Sequence, residues 1–148
     1  MRIHHVCVTV SDLDRSLPFY QDLLGFKDIV LDTTLPGELF DAATLDDIVG
    51  TENAATRVVL VADESGTVLE LQQASHPRTV RTPDEYLGFG ASGLRVLALA
   101  VTGIEEFFQR VKDAGCRTQT DYIMSAMPGH QTFMFYDPDG TLIQVVED

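Results

Sequence analysis

Val6-Cys7-Val8-Thr9-Val10-Ser11-Asp12-Leu13, closed by the stop Leu23-Leu24-Gly25-Phe26, decides the fold, because the chain says nearly the same thing twice. The second statement is Val96-Leu97-Ala98-Leu99-Ala100-Val101-Thr102-Gly103-Ile104, closed by Ala114-Gly115-Cys116. Val10 and Val101 stand 91 positions apart, as do Leu13 and Ile104, and Gly25 and Gly115 stand 90 apart, so one alignment carries both halves. In the first copy, alternation predicts a strand over residues 3–10 with Val6, Val8 and Val10 on one face. His5, Cys7 and Thr9 then share the other face. A capped helix start over Ser11–Asp14 leads into an apolar stripe of Leu13, Leu17, Tyr20, Leu23 and Leu24 that stops at Gly25. Pro18 is expected to kink this helix or delay its first regular turn, because proline lacks the N–H that an interior position donates.

The second half follows the same grammar. Thr102-Gly103-Ile104-Glu105 reads as a capping box, Ile104, Phe107, Phe108 and Val111 as the buried stripe, and Gly115 as the stop. β-rich runs follow each helix: Lys27–Leu31, Arg57–Ala62 and Thr67–Gln73 in the first half, Gln131–Tyr136 and Thr141–Val146 in the second. Asp63–Gly66 and Asp137–Gly140 supply hairpin turns. Each half therefore reads βαβββ. The expected organisation is an α+β fold in one domain, 1–148, with module one about 3–74, a joining stretch about 75–93 and module two about 94–148. Three stretches escape the repeat. Asp32–Thr56 has room for a short helix with Leu39, Phe40, Ala43 and Ile48 on one face. Ser75–Gly93 joins the halves. Thr118–His130, with Tyr122, Met124 and Met127, reads as a polarizable loop ahead of a strand.

The 148 residues, 45% hydrophobic, suffice for one buried core. A formal charge of −13, from 10 basic and 23 acidic side chains, opposes nucleic acid and anionic membrane surfaces as partners. No apolar run has the roughly 20 residues needed to span a bilayer, and Met1-Arg2-Ile3-His4-His5 lacks a signal-peptide core, so a cytoplasmic location is expected. Cys7 and Cys116 form no disulfide framework in a chain of this size and are expected to be reduced.

The paired βαβββ pattern, His5, the run Asp12-Leu13-Asp14-Arg15-Ser16-Leu17-Pro18-Phe19-Tyr20, the Leu23–Phe26 stop and the Asp137-Pro138-Asp139-Gly140 turn resemble the vicinal oxygen chelate superfamily. That group includes glyoxalase I, methylmalonyl-CoA epimerase, extradiol dioxygenases, and fosfomycin- and bleomycin-resistance proteins. The resemblance covers nearly the whole chain and implies two modules forming an incomplete barrel-like sheet around a cavity. It also implies a homodimer and, in metal-bearing members, four ligands on the first and last strands of the modules. Carried over, His5 fits the first ligand and Glu70 the second, while the third and fourth fall on Val96 and Gln144. Valine offers no donor, and an amide oxygen brings no charge. His5, Glu70 and Gln144 with added water are the metal set that remains, and a two-histidine, one-carboxylate site would need His76 or His130 from a loop.

The candidate site is read as follows. His5 and Glu70 are the candidate catalytic pair, Glu70 serving as general base or hydrogen-bond acceptor when no metal is present. Glu70 has a plainer reading as a solvated residue or the partner of Arg57 or Arg95. Cys7, Thr9, Gln72, Val96, Ala98, Met124, His130 and Gln144 are the candidate substrate-binding residues, with Cys7 as simple packing and His130 as a solvated rim residue the plainer alternatives. His4 alternates away from His5, toward the helix side or an edge. Val96, Ala98 and Ala100 make a small apolar wall, and Met124, Met127, Phe133 or Phe135 and Tyr136 add to it, so an aromatic or hydrophobic organic guest is expected. Two main functions compete: sequestration of a small drug or natural product with no cofactor, and a lyase, isomerase or dioxygenase using one divalent ion at His5, Glu70 and Gln144. A purely structural or regulatory module is a third and predicts no ligand-sized cavity.

Overall fold

The computed structural model describes residues 2–147, which fall into two compact units, the first ending at Arg81 and the second beginning at Thr82. The boundary lies inside the stretch expected to join the modules.

In the first unit the order is β1 (Val6–Thr9), α1 (Leu13–Pro18), a π-helical turn (Phe19–Leu23), β2 (Asp28–Leu35), α2 (Ala42–Val49), β3 (Ala55–Ala62) and β4 (Val68–His76). The sheet runs β1-β4-β3-β2, with β1 parallel to β4 and the other pairs antiparallel. Asp12 caps α1 by accepting the Arg15 N–H at 3.1 Å. Pro18 does not delay the helix start: it closes α1, and the chain widens into the π turn, in which Leu24 N–H reaches back to the Phe19 carbonyl. Leu13, Tyr20 and Phe26 are buried, as are Val59, Val61, Leu69 and Leu71. Strand alternation puts those four strand residues on the face of the sheet opposite Glu70 and Gln72.

The long segment after β2 does hold a helix. Asp41 accepts the Thr44 N–H at 2.8 Å, Gly50 ends α2 in the left-handed region at φ 70°, and Asp46 accepts the amides of Asn53 and Ala54, returning the chain to β3. The buried face of α2 is not centred on Leu39 and Ile48, which are exposed; Leu45 is the anchor, packed with Leu35, Ala54 and Val58 against Phe40 and Val49.

In the second unit a 3₁₀ turn (Asp84–Tyr86) precedes β5 (Val96–Val101), α3 (Ile104–Asp113), β6 (Met124–Met127), β7 (His130–Tyr136) and β8 (Leu142–Glu147). The sheet runs β5-β8-β7-β6, with β5 parallel to β8, repeating the plan of the first unit. Met124–Met127, expected within a loop, is an edge strand paired with β7. The capping box is also replaced. Gly103 is the N-cap at φ 81°, no side chain of the helix start caps it, and Glu147 on β8 accepts Gly103 N–H at 3.0 Å and Ile104 N–H at 2.7 Å. Glycine is needed there because other residues pay sterically for that φ. Phe133 and Phe135 are fully buried and meet Phe107, with Phe108 also against Phe133, so these rings are core beneath α3 and not part of a guest wall. Among the described residues neither sheet closes into a barrel, and each unit completes a βαβββ module.

Candidate functional site

The chemistry of the first unit collects on one face of its sheet. Register pairs Cys7 with Glu70, Glu70 with Leu60, Gln72 with Val58 and Leu60 with Leu31, so these side chains stand in one layer. Below the layer lies α2. Between them is a cavity of about 490 Å³, within the size range of small-molecule sites. Its apolar wall is Leu31, Leu35, Val58 and Leu60 from the strands and Leu39, Phe40, Leu45, Ile48 and Val49 from the helical segment. Its polar end is His4, His5, Cys7, Glu70 and Gln72.

The polar end is internally wired. His5 Nε2 lies 3.2 Å from Glu70 Oε2, and His5 Nδ1 lies 2.8 Å from His4 Nδ1. One of the two facing Nδ1 atoms donates and the other accepts, so the tautomers of His4 and His5 are linked. His4 therefore does not turn away from His5: both residues precede β1, where strand alternation has not yet begun, and both line the cavity. Glu70 is paired with His5, while Arg57 is held by Asp32 and Asp14 and Arg95 donates to the Tyr86 carbonyl. The Cys7 thiol donates to Gln72 Oε1 at 3.4 Å. Although Cys7 is reached by solvent, the protein around its sulfur and then the charge of Glu70 push its pKa up to about 12, against an ordinary 9.0. A thiol so held is no nucleophile at neutral pH. Thr9 sits on the same face by register but is not among the residues lining the cavity.

The remaining candidates belong to the second unit. Val96, Ala98, Met124, His130 and Gln144 fall on one face of its sheet, the face opposite Phe133, Phe135, Ile143 and Val145. His130 is exposed at the start of β7, and Ala98 is exposed beside Gln144. Gln144 Nε2 donates to Thr132 Oγ1 at 3.2 Å, and Thr132 Oγ1 donates to the Val145 carbonyl.

A four-ligand metal centre does not fit this donor set. Val96 has no lone pair, Gln144 offers an uncharged amide oxygen in place of a carboxylate, and both ring nitrogens of His5 are already in contact with side chains. Among the described residues no three His, Cys, Asp or Glu side chains converge as a metal site.

Sequence reasoning missed most of the apolar wall. Leu31, Leu35, Val58 and Leu60 are legible afterwards, because Val58-Val59-Leu60-Val61 is apolar on both strand faces, and a strand covered on both sides needs a second layer. That layer is α2.

The Glyoxalase/Bleomycin resistance protein/Dioxygenase superfamily matches this chain over residues 2–145, and the chain belongs to that superfamily. Among solved structures it is similar to a glyoxalase family protein from Bacillus cereus, at 18% identity and TM-score 0.82 over 99% of this chain and 93% of that one. It is similar to a glyoxalase family protein from Enterococcus faecalis, at 24% identity and TM-score 0.69 over 99% and 97%. It is also similar to the antibiotic binding protein TnmS3 from a Streptomyces species, at 20% identity and TM-score 0.63 over 99% and 95%. At these identities the likeness is one of fold. No curated protein matches the chain significantly.

Proposed function

We propose that the protein binds and sequesters a small hydrophobic organic molecule, a drug or natural product, with an apolar body and one hydrogen-bonding end. The supporting observation is the cavity of the first unit, lined mainly by apolar side chains of β2, β3 and α2, with Thr33 and Thr56 among them, and by His4, His5, Cys7, Glu70 and Gln72 at its polar end. Burial of the apolar body supplies most of the affinity, at about 25 cal/mol per Å² removed from water, and the polar end fixes orientation. Only Phe40 among the wall residues is aromatic, so the module-one wall suits alkyl or alicyclic surface at least as well as a flat ring. The similarity to a protein described as antibiotic binding agrees with this reading. The whole chain acts as one binding domain and as a homodimer in the cytoplasm, without nucleic acid or membrane as partner. No helix among the described residues is long and apolar enough to cross a membrane.

The test is calorimetric titration with a panel of hydrophobic antibiotics and natural products, followed by recovery of each compound for mass spectrometry. Saturable binding with intact compound, weakened about tenfold or more in Leu60→Trp, which adds bulk to the cavity wall, is the expected result. Turnover of the bound compound would overturn it.

The competing reading is a lyase, isomerase or dioxygenase using a divalent ion, and the observation that favours it is the His5–Glu70 pair. It requires near one metal per chain, lost in both His5→Ala and Glu70→Ala, and metal-dependent conversion of a compound that Glu70→Gln abolishes while binding persists.

A further inference from the structure

The polar end of the first unit's cavity has a definite sign of charge. Glu70 is the single carboxylate among the described residues that line it, and no Lys or Arg is among them. The Glu70 side chain is only 19% exposed and stands between Cys7 and Leu60 in the sheet register. Its neighbours are the His5 ring, with Nε2 at 3.2 Å from Oε2, and the Cys7 thiol, whose pKa is raised by burial and then by the charge of Glu70. Other carboxylates of the chain are better matched. Asp32 has the Arg57 guanidinium, Asp46 takes the amides of Asn53 and Ala54, and Glu147 takes those of Gly103 and Ile104.

His4 and His5 do not reverse this sign. Their Nδ1 atoms face each other at 2.8 Å, a contact that needs one donor and one acceptor, so while it lasts the pair holds at most one positive charge. Beside an ionised Glu70 the end of the chamber is therefore neutral or negative, never positive. A charge enclosed by apolar walls is costly unless a counter-charge is buried with it. A ligand cation supplies that counter-charge, whereas a ligand anion finds none. The formal charge of −13 adds a field that draws cations toward the chain.

We propose that the molecule bound in this cavity is a lipophilic amine carried as its ammonium ion, its apolar body along β2, β3 and α2 and its N–H groups donating to the Glu70 carboxylate. This assignment rests on the cavity being a binding site. The experiment is calorimetric titration of the full chain, at neutral pH and constant ionic strength, with three probes of one alicyclic shape and different charge: 1-adamantanamine, 1-adamantanol and 1-adamantanecarboxylate. The amine is expected to bind about tenfold or more tighter than the alcohol, and the carboxylate to show no saturable binding. In Glu70→Gln the amine-to-alcohol ratio should fall to about one. Lys112→Gln, in the second unit, should leave that ratio unchanged. Should Glu70→Gln lose its fold, the order of amine over alcohol over carboxylate in the unsubstituted chain carries the result. Equal binding of amine and alcohol, or an amine preference that survives in a folded Glu70→Gln, overturns the proposal and leaves the cavity standing as a hydrophobic binding site. Absence of saturable binding by all three probes also overturns it, and the antibiotic panel then decides the binding reading by itself.

Discussion

Glu147→Ala should unseat the start of α3 although Glu147 lies more than 40 residues away in sequence. Its carboxylate accepts two amides, Gly103 N–H at 3.0 Å and Ile104 N–H at 2.7 Å, in a part-buried setting. Losing an N-cap acceptor costs about 1 kcal/mol, a second bond of this kind adds a comparable amount, and the negative charge at a helix N-terminus contributes roughly 0.3–1 kcal/mol. The sum is about 2–3 kcal/mol. For a chain of this size that lowers Tm by roughly 5–10 °C. Glu147→Gln keeps one acceptor without the charge and should lose about half as much. Chemical denaturation followed by far-UV circular dichroism reads both variants. If both fall within about 0.5 kcal/mol of the unsubstituted protein, the amides find other acceptors and the cap assigned here is wrong.

Phe133→Ala removes a fully buried ring from the Phe107, Phe108 and Phe135 cluster and should cost about 3–5 kcal/mol in the same assay. Arg57 grips Asp32 through Nε and Nη2 and reaches Asp14 through Nη1, all partly solvated, so Arg57→Met should cost about 1 kcal/mol at pH 7 and less in high salt. The hydrogen bond from Arg57 holds the Asp32 carboxyl below its usual range, so this contribution is present above about pH 4 and lost as pH falls through the lowered value; a stability profile that is flat across that window would contradict it. Cys7, with its pKa raised to about 12, should react with iodoacetamide at pH 8 about a thousandfold more slowly than a free thiol, and faster in Glu70→Gln, as measured by peptide mass spectrometry. Because the folded value is the raised one, the thiol's contribution to stability holds below about pH 9 and is lost as pH climbs toward 12.

The repeat was the most legible property of this chain, since strand alternation at Val6–Val10 and the glycine stops at Gly25 and Gly115 depend on local rules that tertiary context did not override. His5 and Glu70 were legible as neighbours by resemblance, and the parallel register of β1 with β4 is what joins them. The misses share a cause. The Glu147 cap, the partner of His4 and the cavity wall of α2 are all contacts between segments distant in sequence or outside paired strands, where neither period nor propensity constrains the answer. Thr102 and Glu105 had the right spacing for a capping box, but the helix starts from Gly103 and a distant carboxylate takes the Gly103 and Ile104 amides instead.

Because Glu70 and Gln72 line the cavity while Leu69 and Leu71 are buried on the other face, the middle of β4 works as a partition whose even-numbered residues address the chamber and whose odd-numbered residues address the core. Substitutions at 70 and 72 can retune the hydrophobic chamber while 69 and 71 are left alone. A deletion of Val68 or Leu69 shifts the register by one, driving the Glu70 carboxylate toward the layer filled by Leu69 and Leu71 and turning a leucine to the His5 end. Parity along this one strand, more than the identity of any single side chain, is what the protein has least freedom to change.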